Sequence, residues 1–441
     1  MTKKNNKISS EQMWQDAQHI IPGGNGFFSK RPEQFLVGGG WPAYYKKSKG
    51  CEIWTKENTK YVDMALMGVG TCTLGYANDE VDSAVINAIG SGVMSSLNCP
   101  EEFELAEKLV QLNPWSDMVR FTKSGGEANA VAIRIARSAA KSEKIAVCGY
   151  HGWHDWYLAS NLDNSSSLNE HLMTGLFTSG VPKALAGSIF PFIYNDLEQL
   201  VRLIDEENIG IVKMEVQRNI PPKDNFLQDV RDLCTKHGII LIFDECTSGF
   251  RQNLGGLHLT YKVYPDIAMY GKAMANGHAI CAVVGREEFM KHANNSFISS
   301  TFWSERSGYV AALKTLEVME RIKSYDIISS IGKKIKESWL SLASTHNLNI
   351  KIRGLDALCG FNFESDLDHH YKSFITETML NYDMLATNTI YTCIAHTDDK
   401  LEYYFDCLDK CFNEISKRFP DETLHDQMNF QDSASGFQRL N

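Results

Sequence analysis

Two periods of apolar spacing alternate along this chain. Met118 to Thr122 is a short apolar run, followed by Ser124-Gly125-Gly126 and an alanine-rich stretch, Glu127 to Ala140, with helical spacing. Lys144 to Cys148, Ile209 to Val216 and Ile239 to Phe243 are further apolar runs, with helical spacing over Phe226 to Lys236 between the last two. Runs of about four to eight apolar, β-branched residues read as buried strands, and longer stretches with period 3.6 as amphipathic helices. Their alternation from about residue 80 onward predicts an α/β fold with a mostly parallel sheet covered by helices on both faces.

The two ends have a different texture. Glu11 to Ile21 has helical spacing and stops at the breaker cluster Pro22-Gly23-Gly24. Tyr44 to Asp63 alternates apolar and polar residues around Lys56-Glu57-Asn58, which predicts a small antiparallel hairpin or meander. After a long amphipathic helix, Gly308 to Lys323, the pattern becomes helix, strands near Ile350 and Gly360, then helices over Tyr371 to Asn381 and Lys400 to Arg418. That order suits a smaller α+β unit. The expected division is an N-terminal arm with part of the small domain (1–60), a large domain (61–324), a small C-terminal domain (325–420) and a polar tail (421–441).

Length and composition agree with this division and exclude several classes. At roughly 150 residues per unit, 441 residues allow about three folding units and a large core. With 44 basic and 54 acidic residues the net charge is −10, so no overall footprint for nucleic acid or an anionic membrane is visible. The segment Met1 to Gln12 lacks the apolar core of a signal peptide, and the uncharged stretch Ser83 to Pro100 is interrupted by Ser, Asn and Gly. The 11 cysteines are scattered without a C-x-x-C pair, as expected of reduced thiols in a cytoplasmic protein.

The candidate chemistry sits at strand ends. The run Ile239 to Phe243 ends in Asp244-Glu245, and Gly271-Lys272-Ala273 follows another apolar run, Pro265 to Tyr270, which places Lys272 twenty-eight residues beyond Asp244. Ser124-Gly125-Gly126 stands at a strand-to-helix junction, where free N–H groups and the helix dipole favour a phosphate. Taken singly, these are a strand end, a surface lysine and a turn. Together, a buried carboxylate, a lysine between small residues, an anion cradle and an aromatic loop at Tyr150 meet the needs of pyridoxal 5'-phosphate. His151 and His154 have no further partners in a ligand pattern, so no metal is expected.

In these motifs the chain resembles the class III, fold type I, pyridoxal-phosphate-dependent aminotransferases, in particular the glutamate-1-semialdehyde aminotransferase (2,1-aminomutase) group. The resemblance runs through Ala17 to Gly24, Gly70 to Asn78, Val119 to Ala128, Tyr150-His151-Gly152, Phe243-Asp244-Glu245 with Gly249-Phe250-Arg251, Pro265-Asp266 and Gly271-Lys272. It implies a large domain built on a seven-stranded sheet and a homodimer with shared active sites. It implies Lys272 as the Schiff-base lysine and proton carrier, Asp244 as partner of the pyridine nitrogen, and Glu215 at the cofactor's edge. Tyr150 would stack on the ring, Ser124, Gly125 and Gly126 would hold the phosphate, and Thr301 would reach the phosphate of the neighbouring subunit. Ser29, Lys30 and Arg31, where related enzymes bind a substrate anion, and Arg218, three residues beyond Glu215, are the candidate substrate contacts.

Four departures stand out: Gly126 where the family has Ser or Thr, Glu215-Val216 for Glu-Pro, Ser304-Glu305-Arg306 for Gly-Asn-Pro, and no recognisable mutase substrate segment around Leu385 to Ala395. The expected activity is transfer of an amino group from an amino-acid donor to a small ketone or aldehyde, sugar-like or anionic. The 2,1-aminomutase reaction, a decarboxylase or racemase on the same scaffold, and a cofactor-less binding relative remain alternatives.

Overall fold

The computed structural model describes residues 8–169, 175–418 and 431–433. Three strands, β1 (Tyr45–Lys49), β2 (Glu52–Thr55) and β3 (Lys60–Met64), form the antiparallel meander that alternation predicts. The main sheet contains β4 (Met118–Thr122), β5 (Ile145–Cys148), β6 (Ile189–Pro191), β7 (Ile211–Glu215), β8 (Ile240–Asp244), β9 (Ile267–Tyr270) and β10 (Cys281–Gly285). Its order is β4-β10-β9-β8-β7-β5-β6, and only β10 runs against its neighbours. The strands from β7 to β10 are buried along their whole length, as a sheet covered on both faces requires. Val212, Met214, Leu241 and Phe243 point into one apolar layer, and Ile211, Ile240, Ile242, Ile267 and Met269 into the other.

The alanine-rich helix begins at Gly125, two residues before its apolar spacing does. Ser124 and Glu127 form a capping box, and reciprocal bonds of this kind draw the helix start back to the cap. Strand β8 likewise extends through Asp244, because its backbone continues to pair with β9 there. Ser83 to Pro100 contains the end of a helix, Asp79–Gly90, and an irregular segment. No helix among the described residues is long and apolar enough to cross a membrane.

The C-terminal part adds β11 (Ile350–Arg353), β12 (Leu358–Phe363), β13 (Met384–Ala386) and β14 (Thr389–Tyr391). β13 lies parallel to β3 and closes a four-stranded sheet, so residues from both ends of the chain share one layer. β11, β12 and β14 make a separate three-stranded sheet. Helices Ser324–Thr345, Asp368–Leu380 and Asp398–Arg418 pack there around Trp339, Phe361, Tyr404 and Phe412, with Trp339 Nε1 donating to Tyr404 Oη at 2.9 Å. Of the expected polar tail, only 431–433 lie within the described residues; Gln431 bridges to Val37 and Ser433 is buried.

Gly332 shows how closely these layers meet. It is buried in the helix Ser324–Thr345, and a Cβ added there would lie 1.8 Å from the backbone oxygen of Asp356. On an exposed helix face Gly→Ala stabilises by about 1 kcal/mol, but here the overpacking opposes it. Gly332→Ala is expected to destabilise by about 1–3 kcal/mol, seen as a lower midpoint in urea unfolding with an unchanged slope.

Candidate active site

Parallel pairing brings the carboxyl ends of β7, β8 and β9 together, the edge at which open α/β sheets bind ligands. Glu215 is directly opposite Asp244, and Asp244 opposite Met269, so the chain leaves β9 beside Asp244, one strand further from Glu215, and enters Gly271-Lys272. Asp244 is only 3% exposed. Its Oδ2 meets His151 Nδ1 at 2.9 Å and Lys213 Nζ at 3.9 Å, and its Oδ1 accepts the Cys246 N–H at 3.1 Å. Burial alone would raise its pKa, but the Lys213 ammonium and the His151 hydrogen bond outweigh it and hold the carboxyl well below the usual range. Lys213 and His151 are themselves fully buried, and desolvation pushes both of their pKa values down.

Lys272 sits at the centre of a second network. Its backbone is held at φ 39°, a left-handed conformation that costs energy in a non-glycine residue. Nζ donates to Thr247 Oγ1 at 2.6 Å, and the same hydroxyl accepts Arg218 Nη2 at 2.9 Å. Arg218 Nε donates to Glu215 Oε1 at 2.9 Å, and Glu215 Oε2 accepts the Tyr150 N–H at 3.1 Å. Desolvation, followed by the charges of Arg218 and Arg251, lowers the Lys272 pKa to about 8. Arg251 is fully buried; its Nε and Nη2 donate to Thr247 O and Gly70 O, while Nη1 has no partner among the described residues. Beside Arg218 and Glu215 lies a cavity of about 200 Å³ walled by Phe192, Ile193, Tyr194 and Ile220.

The third part is the start of the helix Gly125–Ala139. The Ser124 hydroxyl is used in the capping box, whereas the N–H groups of Gly125 and Gly126 make no hydrogen bond among the described residues. The loop after β5 packs onto this turn, and a Cβ on Gly126 would lie 2.6 Å from the His154 ring. That contact is a physical reason for glycine at this departure from the family pattern.

Not every predicted residue joins these networks. Tyr150 joins through its backbone N–H alone: its side chain is half-buried, with the ring edge-on to Tyr157 at 6.1 Å. Thr301 is exposed in the short turn Thr301–Ser304. Ser29 is half-buried and Lys30 exposed, while Arg31 lies over the Phe28 ring at 5.4 Å and against Gly23. Three residues of the networks escape the sequence reading: Thr247, His151 as a partner of Asp244, and Lys213. Lys213 does carry a signal, a lone charge inside the apolar run Ile209 to Val216.

These donors fit pyridoxal phosphate: free amides at a helix start for the phosphate, an amine of lowered pKa for the aldehyde, and an ionised carboxylate for the pyridine nitrogen. The family Aminotransferase class-III matches residues 38–401. A 3-aminobutyryl-CoA aminotransferase of Cloacimonas acidaminovorans is 34% identical over 435 residues, covering 95% of this chain and all of that protein. A glutamate-1-semialdehyde 2,1-aminomutase of Sulfurisphaera tokodaii is 30% identical, covering 92% of this chain and all of its own. Among solved structures, the internal aldimine form of the FumI protein from Sphingopyxis sp. MTA144 aligns with a TM-score of 0.84 at 20% identity, covering 93% of this chain and 97% of that one. An omega-transaminase from Sphaerobacter thermophilus aligns with a TM-score of 0.81 at 21% identity, covering 94% and 99%. With its fold, its strand-end chemistry and these relatives in agreement, the chain belongs to the class III aminotransferases, pyridoxal-phosphate-dependent enzymes of fold type I.

Proposed function

We propose that this enzyme moves an amino group from an amino-acid donor to a small ketone or aldehyde acceptor, and that the substrates carry an anionic group. The observation that carries the reading is the unbroken chain Lys272–Thr247–Arg218–Glu215. It sets an amine suited to carbonyl chemistry one shared hydroxyl away from a guanidinium suited to a carboxylate. An amino acid presents those two groups on adjacent carbons.

When bound, pyridoxal phosphate supplies an aldehyde and an electron-withdrawing ring that accepts charge from the substrate carbon. Lys272 would hold the cofactor through its amine, and the same Nζ would carry the proton to and from the substrate carbon. Asp244, kept ionised by Lys213 and His151, would hold a proton on the pyridine nitrogen. Gly125 and Gly126 would hold the phosphate, with Ser124 capping the same helix start, while Tyr150 would cover the ring and Glu215 would stand at its edge. Arg218 receives the substrate anion, with Glu215 as its partner when no substrate is bound. The cavity of about 200 Å³ beside it, walled by Phe192, Ile193, Tyr194 and Ile220, takes the rest of a small carbonyl acceptor. Ser29, Lys30 and Arg31 form an outer basic edge. We assign cofactor binding to residues 61–324 and a homodimer to the protein, with Thr301 of the partner subunit completing the phosphate site. The cytoplasm is its expected location.

A donor screen tests this. The purified holoenzyme is mixed with amino acids one at a time, and the productive donor converts the pyridoxal spectrum to that of pyridoxamine phosphate; a carbonyl acceptor then restores it. The 30% identity to a mutase supports a second reading. If glutamate 1-semialdehyde yields 5-aminolevulinate without an added donor, the transaminase reading is wrong.

Two further outcomes are expected. In the apoenzyme, labelling of Lys272 by an amine-directed reagent rises with pH and is half-maximal near 8, because the reactive free amine predominates only above its pKa; mass spectrometry of the labelled peptide reads this out. Arg218→Met raises the KM for a carboxylate substrate about ten- to a hundred-fold, from the loss of hydrogen bonds to a charged group. Steady-state kinetics tests that figure, and the same variant moves the Lys272 labelling midpoint upward, since one neighbouring cation is gone.

A further inference from the structure

We propose that His154 is a ligand of the cofactor phosphate, occupying the place that a side chain at position 126 would otherwise fill. The inference rests on the reading that Gly125 and Gly126 hold that phosphate. The segment 152–154 packs directly onto the helix start: a Cβ on Gly152 would lie 3.3 Å from Gly126 Cα, and a Cβ on Gly126 would lie 2.6 Å from His154 Cε1 and 2.9 Å from Nδ1. The imidazole therefore covers the side-chain face of Gly126, next to two amides that have no bond among the described residues. Trp153 stacks on the ring at 4.4 Å and limits its rotation.

The Nδ1 atom of His154 is buried and has no hydrogen-bond partner among the described residues. A buried polar nitrogen without a partner is costly, and here a ligand can satisfy it. The nearest carboxylate does not. Glu127 is committed to the N–H groups of Lys123 and Ser124 and to Trp303 Nε1. Desolvation pushes the His154 pKa down against the opposing charges of Glu127 and Asp155, and either form of the ring can place an N–H on Nδ1. Placed on Nδ1, that proton makes a third donor beside the Gly125 and Gly126 amides.

The test measures the affinity of the apoenzyme for pyridoxal phosphate and for pyridoxal, which lacks the phosphate, in the wild type and four variants. His154→Ala is expected to weaken pyridoxal phosphate about ten-fold or more, the change one hydrogen bond to a charged group makes, while pyridoxal changes by less than about two-fold on that scale. His154→Asn, whose amide nitrogen takes the position of Nδ1, retains most of the affinity. Gly126→Ser alone weakens binding because the new side chain collides with the ring. Gly126→Ser in the His154→Ala background recovers it, because the serine hydroxyl enters the vacated space. The inference is overturned if His154→Ala binds pyridoxal phosphate as tightly as the wild type, or loses both ligands equally, or is not rescued by the serine. If instead the wild type binds pyridoxal as tightly as pyridoxal phosphate, the phosphate site at Gly125 and Gly126 is itself misplaced. The melting temperature of each apo variant separates a folding defect from a lost contact.

Discussion

A carboxylate taken out of water must be met by cations or donors, and the centre of this molecule is arranged around one, Asp244. Its three partners come from different places: His151 from the loop after β5, Lys213 from β7, and the Cys246 amide from the turn beyond β8. Lys213, Asp244 and Met269 share one face of three adjacent strands, and in that layer the hydrocarbon of the sheet gives way to charge. A buried ion pair is no better for stability than packed apolar side chains. What it achieves is a carboxylate that stays ionised in a dry environment, the state a protonated pyridine nitrogen needs beside it.

The same electrostatic logic, with opposite sign, governs Lys272. Burial and two neighbouring guanidinium groups disfavour its ammonium form and bring its pKa down to about 8, so a minor share of free amine is present at neutral pH. One of those guanidinium groups, Arg218, is at the same time neutralised by Glu215. Thr247 joins the two side chains, because its hydroxyl accepts from both Lys272 and Arg218. The left-handed backbone at Lys272 adds strain that the surrounding packing sustains.

Much of this was legible in the chain. Asp244 and Lys272 follow apolar strands directly, and a charged residue at the end of a buried run is conspicuous. The Ser124–Glu127 spacing announces a helix start, although apolar spacing alone sets that start two residues late because it ignores the cap. Thr247 was silent, being an ordinary turn residue until a lysine and an arginine are folded onto it. The loop at Ser29 to Arg31 carries two cations in its sequence, and in the structure the Arg31 guanidinium lies over the Phe28 ring and against Gly23. Net charge identifies a basic segment and does not say which way its side chains turn.

The sequence by itself determined the class of fold, the strand order of burial along the chain, and which residue types stand at the ends of the strands. Those are local properties, set by apolar period, β-branching and the glycine turns, and local properties survive in one dimension. Only the tertiary structure decided which of those residues meet. The contacts Lys272–Thr247, Arg218–Thr247, His151–Asp244 and Gly126–His154 join segments whose closeness depends on strand pairing and on loop packing. Pairing β7 with β8 and β8 with β9 sets the levels of Glu215, Asp244 and Met269, and a shift of one residue in either pair would turn a buried carboxylate to the opposite face.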